Sequence, residues 1–412
     1  MTTQPDDGQN EPDPDFIKSI RAGLGYWQKK TETMQAGQAM WLDGQRFNLN
    51  EAVVQGLRYP ETWQDTAMLL LQTFDFSEWR GYWYEWTAVF EQALAAAPEK
   101  ETEVYGRMQN RLGQLYRLGN RLPEAEAQHQ AALALAQQLV NDDLLAITYG
   151  CLAEYHEAQR DVGQTRTFAQ AALDLAQIRP SVGRIAAFAH RILGSIDEFV
   201  GNWPAAIEHY QQAIQIWRKL NNHVYLARTL YDLGSVYATT NKFDLAQQAY
   251  EEAGAILSPT NNVKDKAFVS LNLGVLYYRQ KDWARAEAAF LQIDPMALRE
   301  QNELDLLGKF YNNLGNVYLE MKRWDSAANY LALAIALFRE RENALDLGNS
   351  LGTLASVYGQ DGQQEAALSL YAEAIQLLLQ FPESQWAQKL LREFGAADEK
   401  LREALSKDTD KK

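Results

Sequence analysis

Leu233-Gly234-Ser235-Val236-Tyr237, followed by Ala246, Tyr250 and Ala253, decides the fold of this chain. Leu230, Leu233, Gly234 and Tyr237 recur at i, i+3, i+4 and i+7, which places them on one face of a helix. Asn241-Lys242-Phe243 breaks that helix, and Ala246, Tyr250 and Ala253 then define a second one. Gly234 and Ala246 are small so that two helix backbones can approach closely, and the tyrosines fill the space beside them. The same two-helix unit restarts along the chain. The small residue that follows a leucine stands at Gly113, Ala153, Gly194, Gly234, Gly274, Gly315 and Ala355, in steps of 40, 41, 40, 40, 41 and 40. A constant period in this range marks a solenoid. Stacked helix pairs present a long concave surface in place of a closed catalytic pocket, so a binding role is expected.

These positions resemble the tetratricopeptide repeat, whose pattern is Leu-Gly-x-x-Tyr followed by Ala, an aromatic and a later Ala. Leu112-Gly113 with Tyr116, Leu273-Gly274 with Tyr277, Leu314-Gly315 with Tyr318 and Leu354-Ala355 with Tyr358 repeat it. The unit at Leu193-Gly194 has Asp197 in place of the tyrosine, and the unit at Leu152-Ala153 has His156 there and Thr165 in place of alanine. The resemblance implies an all-α, right-handed α-solenoid of antiparallel helix pairs with helical caps at both ends. The ~40-residue period exceeds the usual ~34 and resembles the arrays of kinesin light chains, spindle-orientation adaptors and the sensor arrays of bacterial regulators. It also resembles the peptide-sensing Rap-type regulators. All of these bind a peptide or protein segment in the groove.

The expected organisation is a disordered acidic leader over 1–15, a helical N-terminal region over 16–105 with a degenerate capping repeat, and seven repeats over 106–382. A capping helix over 383–405 and a tail over 406–412 follow. Trp27, Met34, Met40 and Trp41 read as buried anchors of the N-terminal region. The cluster Trp79, Tyr82, Trp83, Tyr84, Trp86 and Phe90 is too dense for one helix face to bury, so it packs under the N-terminal helices or offers a docking surface. Trp386, Leu390, Leu391, Phe394, Leu401 and Leu405 are the apolar positions of the closing helix.

The net charge is −15, and five of the acids lie in the first fifteen residues, which hold no base. An acidic body argues against a nonspecific grip on nucleic-acid phosphate or anionic lipid. No apolar stretch approaches the ~20 residues of a membrane-spanning helix, and no secretory leader is visible. Cys151 is the single cysteine. A cytoplasmic protein is the expectation.

In the tetratricopeptide-repeat family the first helix of each unit lines the concave face, and residues flanking the Leu-Gly pair point inward. Carried onto this chain, that set is Arg107, Asn110, Arg111, Gln114 and Arg117 in the first unit, with Arg191, Arg228 and Tyr231 in the third and fourth. Asn272, Arg279, Lys309, Asn312, Asn313 and Asn316 continue it. An asparagine side chain offers a donor and an acceptor together, so a ladder of them suits an extended ligand's backbone; the alternative is that they tie neighbouring helices or face water. The recurring bases suit an acidic segment, or else are solvated or salt-bridged. The expected partner is therefore a protein or peptide segment of acidic or extended character, and the expected role is a non-catalytic scaffold or adaptor. A Rap-like regulator whose N-terminal helices act on a response regulator or other effector is the alternative.

Enzyme readings find little support, and no metal or cofactor is expected. The five histidines show no metal-ligand spacing, and His129 and His156 occupy aromatic core positions of their repeats. Glu154 and Glu157 read as a solvated helix face. Trp203, Trp283 and Trp324, with Phe243, open the second helices at one repeat position and read as core. No segment carries sustained period-2 alternation. Far-UV circular dichroism should accordingly report a dominantly helical protein, and a strand content near the ~20–25% of average globular proteins would end the solenoid reading.

Overall fold

The computed structural model describes residues 13–32, 39–80, 82–179, 181, 183–260 and 262–409, with backbone only at 39–40, 77–80 and 407–409. Among these residues the regular elements are all helices, and the fold is an all-α solenoid. Four helices come first: α1 (Pro14–Thr31), α2 (Ala39–Leu57), α3 (Pro60–Arg80) and α4 (Trp83–Ala95). Helix pairs follow in α5 (Glu103–Leu118) with α6 (Leu122–Gln138), α7 (Asp142–Ala158) with α8 (Val162–Ile178), and α9 (Gly183–Phe199) with α10 (Trp203–Lys219). Next come α11 (His223–Thr239) and then α12 (Phe243–Leu257), followed by α13 (Val263–Arg279) with α14 (Trp283–Phe290) and α15 (Pro295–Glu300). The series ends with α16 (Leu304–Glu320) and α17 (Trp324–Glu340), α18 (Ala344–Gln360) and α19 (Gln364–Leu378), and α20 (Gln385–Thr409). The chain divides into two compact units: Met1–Val236 with Ile256–Asn262, and Tyr237–Ala255 with Val263–Lys412.

The turn inside each pair is built the same way seven times. Asn120, Arg160, Gly201, Asn241, Lys281, Lys322 and Gly362 all have positive φ. The next amide then reaches back to the carbonyl five positions up the helix: Arg121 N to Tyr116 O at 2.8 Å, Asp282 N to Tyr277 O at 3.0 Å, Gln363 N to Tyr358 O at 2.8 Å. This left-handed cap satisfies carbonyls that the helix end would leave bare. The tyrosine of the Leu-Gly-x-x-Tyr pattern thus also supplies the carbonyl on which the turn closes.

The first unit has two ends to its core. Leu24, Trp27, Leu42, Leu49, Trp63 and Phe74 of α1–α3 merge with Trp86 and Phe90 of α4 and with Met108 and Leu112 of α5. Trp63 Nε1 donates to Ala93 O at 2.6 Å, so α3 and α4 pack as a further helix pair beneath α5. Ala153, Ala169, Ala172 and Leu193 continue the core through α7, α8 and α9. In the second unit Phe290, Phe310, Leu314, Leu331, Phe338, Leu351 and Phe394 belong to one cluster, closed by α20.

Buried polar side chains tie neighbouring pairs together. Asn110 is fully buried, donates from Nδ2 to Thr148 Oγ1 at 2.8 Å, and faces His129 Nδ1 with its Oδ1 at 3.1 Å. Asn312, at the same repeat position, accepts from Ser350 Oγ at 2.9 Å. Burial holds the His129 ring neutral, with its pKa pushed down to about 4.

Several expectations are corrected. Helix α1 starts at Pro14, with Asp13 accepting from Asp15 N, so the end of the expected leader is its cap and first turn; residues 1–12 lie outside the described residues. Trp41 is 42% exposed, resting against Trp27 at the rim, not in the core. Met34 and the side chains of Met40 and Trp79 lie outside the described residues. The aromatic cluster splits by helix face: Trp86 and Phe90 are buried, Tyr82 and Trp83 half-buried, and Tyr84 points to solvent. Trp203, Phe243, Trp283 and Trp324 are half-buried, because they sit on the first turn where the helix emerges from its loop. In the fifth pair the second helix is split, since Pro295 cannot continue α14 and starts α15 behind the Asp294 cap. Helix α20 runs to Thr409, past the expected start of the tail, and Trp386 on it is exposed.

Two stability predictions follow from this packing. A Cβ on Gly194 would lie 2.8 Å from the Tyr210 ring. Gly194→Leu should cost ~1–3 kcal/mol or more by overpacking and broaden unfolding into separate phases, since a solenoid couples nearest neighbours. A single sharp transition merely shifted in temperature would argue against that coupling. The unfolded chain binds a proton at His129 near pH 6.5, whereas the folded chain resists until about 4. The contribution of this group to stability should therefore be flat above pH 6.5 and fall as pH drops from 6.5 towards 4, by up to about 3 kcal/mol. His129→Gln should show a shallower loss in urea titrations; equal slopes would exclude His129 as the source.

Candidate binding site

In the first unit, side chains of α3, α5, α7, α9 and α11 enclose a cavity of about 220 Å³. Helix α5 contributes Arg107, Asn110, Arg111 and Gln114, one turn apart on the face opposite Leu112. Helix α7 adds Ile147, Cys151 and Glu154, while α9 adds Arg184, Phe188 and Arg191. Tyr225 and Arg228 come from α11 and Leu71 from α3. The register is that of the repeat. Arg107 and Arg228 stand six residues ahead of Gly113 and Gly234, and Gln114 and Glu154 stand one residue after Gly113 and Ala153. A helix face repeated every 40 residues therefore delivers five guanidinium groups to one wall.

Their partners differ. Arg117 Nη2 donates to Glu154 Oε1 at 2.6 Å, and Gln114 Nε2 donates to Glu154 Oε2 at 2.8 Å. Glu154 is thus locked between α5 and α7, not solvated as its sequence spacing suggested. Arg191 Nη1 bridges to Asp232 Oδ2 at 3.2 Å. Arg184 Nη2 donates to Asp75 Oδ2 at 2.8 Å. Arg111 lies with its guanidinium 4.3 Å from the Phe74 ring centre and donates from Nη1 to Gln114 Oε1 at 2.8 Å. Among the described residues no carboxylate forms an ion pair with it. Arg107 has Glu103 at 3.7 Å; burial, and then the like charges of Arg111 and Arg184, hold its pKa below the usual arginine range. Such crowding of like charge in a partly dry cleft favours an incoming anion. The Cys151 thiol is buried and its pKa pushed up to about 12, so it stays protonated and unreactive. Among the described residues no three His, Cys, Asp or Glu side chains gather as a metal-binding group.

Of the expected site residues, Arg107, Asn110, Arg111, Gln114, Arg191 and Arg228 meet at this cavity, and Arg117 stands behind Glu154. Tyr231 is half-buried on α11. In the second unit Asn272 and Asn313 are half-buried with no side-chain hydrogen bond among the described residues, and Lys309 is exposed. Asn316 Nδ2 donates to the carbonyl of Asn312 one turn earlier at 3.0 Å. Asn110 and Asn312 spend their amides on Thr148 and Ser350, so they hold helices together instead of offering a ladder. Arg279 is a staple: Nη1 donates to Ala238 O at 2.8 Å and Nη2 to Asn241 Oδ1 at 3.2 Å, over the Phe243 ring. Arg184 and Asp75 were not expected. Arg184 stands ten residues ahead of Gly194, outside the window around the Leu-Gly pair, and Asp75 belongs to a helix with no clear repeat pattern.

Comparison with known proteins agrees with the repeat fold. The tetratricopeptide repeat family matches residues 107–143, 184–258 and 306–380. No curated protein matches the chain. Among solved structures, a Rap protein complexed with Competence and Sporulation Factor has 16% identity and a TM-score of 0.58, covering 89% of this chain and 99% of that one. The apo form of the quorum sensor NprR from B. thuringiensis has 15% identity and a TM-score of 0.58, covering 88% and 100%. Aspartyl phosphate phosphatase F from Bacillus subtilis has 13% identity and a TM-score of 0.53, covering 87% and 94%. At these identities the likeness is one of fold. By repeat register, helix pairing and family match over these three stretches, the chain carries tetratricopeptide repeats.

Proposed function

We propose that the protein is a non-catalytic interaction protein that takes a peptide or a segment of another protein on the first-helix faces of its repeats. The observation that carries this reading is the convergence of arginines from α5, α9 and α11 on one cavity, with Arg111 in an ion pair with no carboxylate of the described residues. An acidic segment suits that wall. The unengaged amides of Asn272 and Asn313 suit the backbone of an extended ligand in the second unit. In this reading α3 and α4 cap the array, the repeats do the binding, and the protein works in the cytoplasm.

A second reading, a peptide-sensing regulator, is favoured by one further observation. The likeness to the Rap protein and to NprR covers 88–89% of this chain, which takes in N-terminal helices as well as repeats. There the N-terminal helices would act on a response regulator or other effector while the repeats sense the peptide.

The test begins with proteins recovered by pull-down from the native host. Arg107→Glu with Arg111→Glu should weaken the recovered partner by one to two decades, with an effect that shrinks as salt rises. Asn272→Ala with Asn313→Ala should cost ~0.5–1.5 kcal/mol per lost hydrogen bond. Helicity should be unchanged in both. Unchanged affinity in both double variants would remove the first-helix faces as the binding surface.

A further inference from the structure

Side-chain hydrogen bonds between first helices of neighbouring repeats join residues about one period apart: Asn110 with Thr148 across 38 residues, Gln114 with Glu154 across 40, Arg191 with Asp232 across 41. The bond from Arg184 to Asp75 spans 109. It ties α3, in the N-terminal helices, to the start of α9, and it does so at the mouth of the arginine-lined cavity, where Asp75, Arg107, Arg111 and Arg184 share a wall.

The tie is only half made. Arg184 Nη2 reaches Asp75 Oδ2 at 2.8 Å, but Asp75 Oδ1 and Arg184 Nε are both buried with no hydrogen-bond partner among the described residues. A guanidinium presents Nε and Nη as a fork that a well-placed carboxylate accepts with both oxygens, and a single-pronged pair forgoes that gain. Unpaired buried polar atoms carry a penalty of their own. Burial alone would raise the Asp75 pKa, yet Arg184, Arg111 and then Arg228 outweigh it and hold the carboxyl below its ordinary range. The local field therefore favours a carboxylate at this point, although the residue that supplies it fits poorly.

We infer that Arg111 and Arg184 form a carboxylate subsite, that Asp75 is its internal occupant, and that the carboxylate of an acidic peptide displaces Asp75 and frees α3 from α9. This inference rests on the reading of the first unit's cavity as a peptide site. The Phe74 ring, 4.3 Å from the Arg111 guanidinium, restrains that group, so it needs little reordering to accept the incoming carboxylate. Phe74 and Leu70 pack with Met108 and Leu112 in the apolar core, so α3 stays on α5 and what is released is the link to the third repeat. Binding would in this way be reported to the N-terminal helices without unfolding them.

The test uses the full chain and a fluorescein-labelled octapeptide of alternating glutamate and alanine, read by anisotropy. Its C-amidated form separates a side-chain carboxylate from a terminal one, a glutamine counterpart with a free C-terminus does the converse, and an amidated glutamine peptide is the neutral control. Asp75→Asn removes the competing charge at constant shape and should tighten the acidic peptide by about tenfold, since the competent fraction rises. Arg111→Gln and Arg184→Gln should each weaken it by tenfold or more. If Asp75→Asn binds no better than the wild type while Arg111→Gln binds worse, the displacement idea fails and the peptide site stands. Equal binding of the neutral control overturns the subsite, and no binding of any probe to either protein overturns the peptide site with it. Should Asp75→Asn fold poorly, amide hydrogen exchange of the wild type decides. Faster exchange around Asp75 on adding the acidic peptide supports displacement, and slower or unchanged exchange rejects it.

Discussion

The helix pairs at Gly113, Gly194, Gly274 and Gly315 close over an atom that is not there. A Cβ on Gly113 would lie 2.5 Å from His129, on Gly194 2.8 Å from Tyr210, and on Gly315 2.7 Å from Leu331. The missing methyl lets the ring or branched side chain of the second helix lie directly on the backbone of the first. That contact fixes the rotation of the first helix about its own axis. Once Gly113 faces α6, Arg107, Arg111 and Gln114 have no choice but the opposite side, where they line the cavity. The arginine-lined wall is the geometric complement of the close crossing.

Stacking from one pair to the next depends on a different device. Small apolar surfaces such as Ala153, Ala169 and Ala189 are forgiving in register, because alanine on alanine slides easily. Asn110 with Thr148 and His129, and Asn312 with Ser350, are not forgiving: a displaced helix would leave a buried amide unpaired. These amides sit at one repeat position in two repeats of different units, three residues ahead of Gly113 and Gly315, and they act as register pins.

Much of this was legible in the chain. The period, the helix pairing and the inward face could be read because each recurs, and recurrence separates a constraint from an accident. What recurred could still mislead: asparagine at the inward face looked like a ladder for a ligand, whereas at Asn110 and Asn312 it serves the neighbouring helix. Arg279 likewise has the right spacing but lies at the helix end, where its reach is spent on the carbonyl of Ala238. Asp75 and Arg184 could not be found at all from sequence. Their meeting depends on how far the successive pairs of the first unit curl back towards α3, a sum of small rotations that no local pattern records.

The turns inside the pairs have a consequence for the protein's robustness. Arg160 and Lys281 hold φ values of 59° and 61°, where an L-residue crowds its own backbone at a cost of roughly 1 kcal/mol each. Gly201 and Gly362 occupy the same place in their pairs without that cost. The hairpins are therefore unevenly strained along the array, and the chain sits below the stability its own architecture permits. A thermostable version is within reach by borrowing, at its strained turns, the residue it already uses at two others.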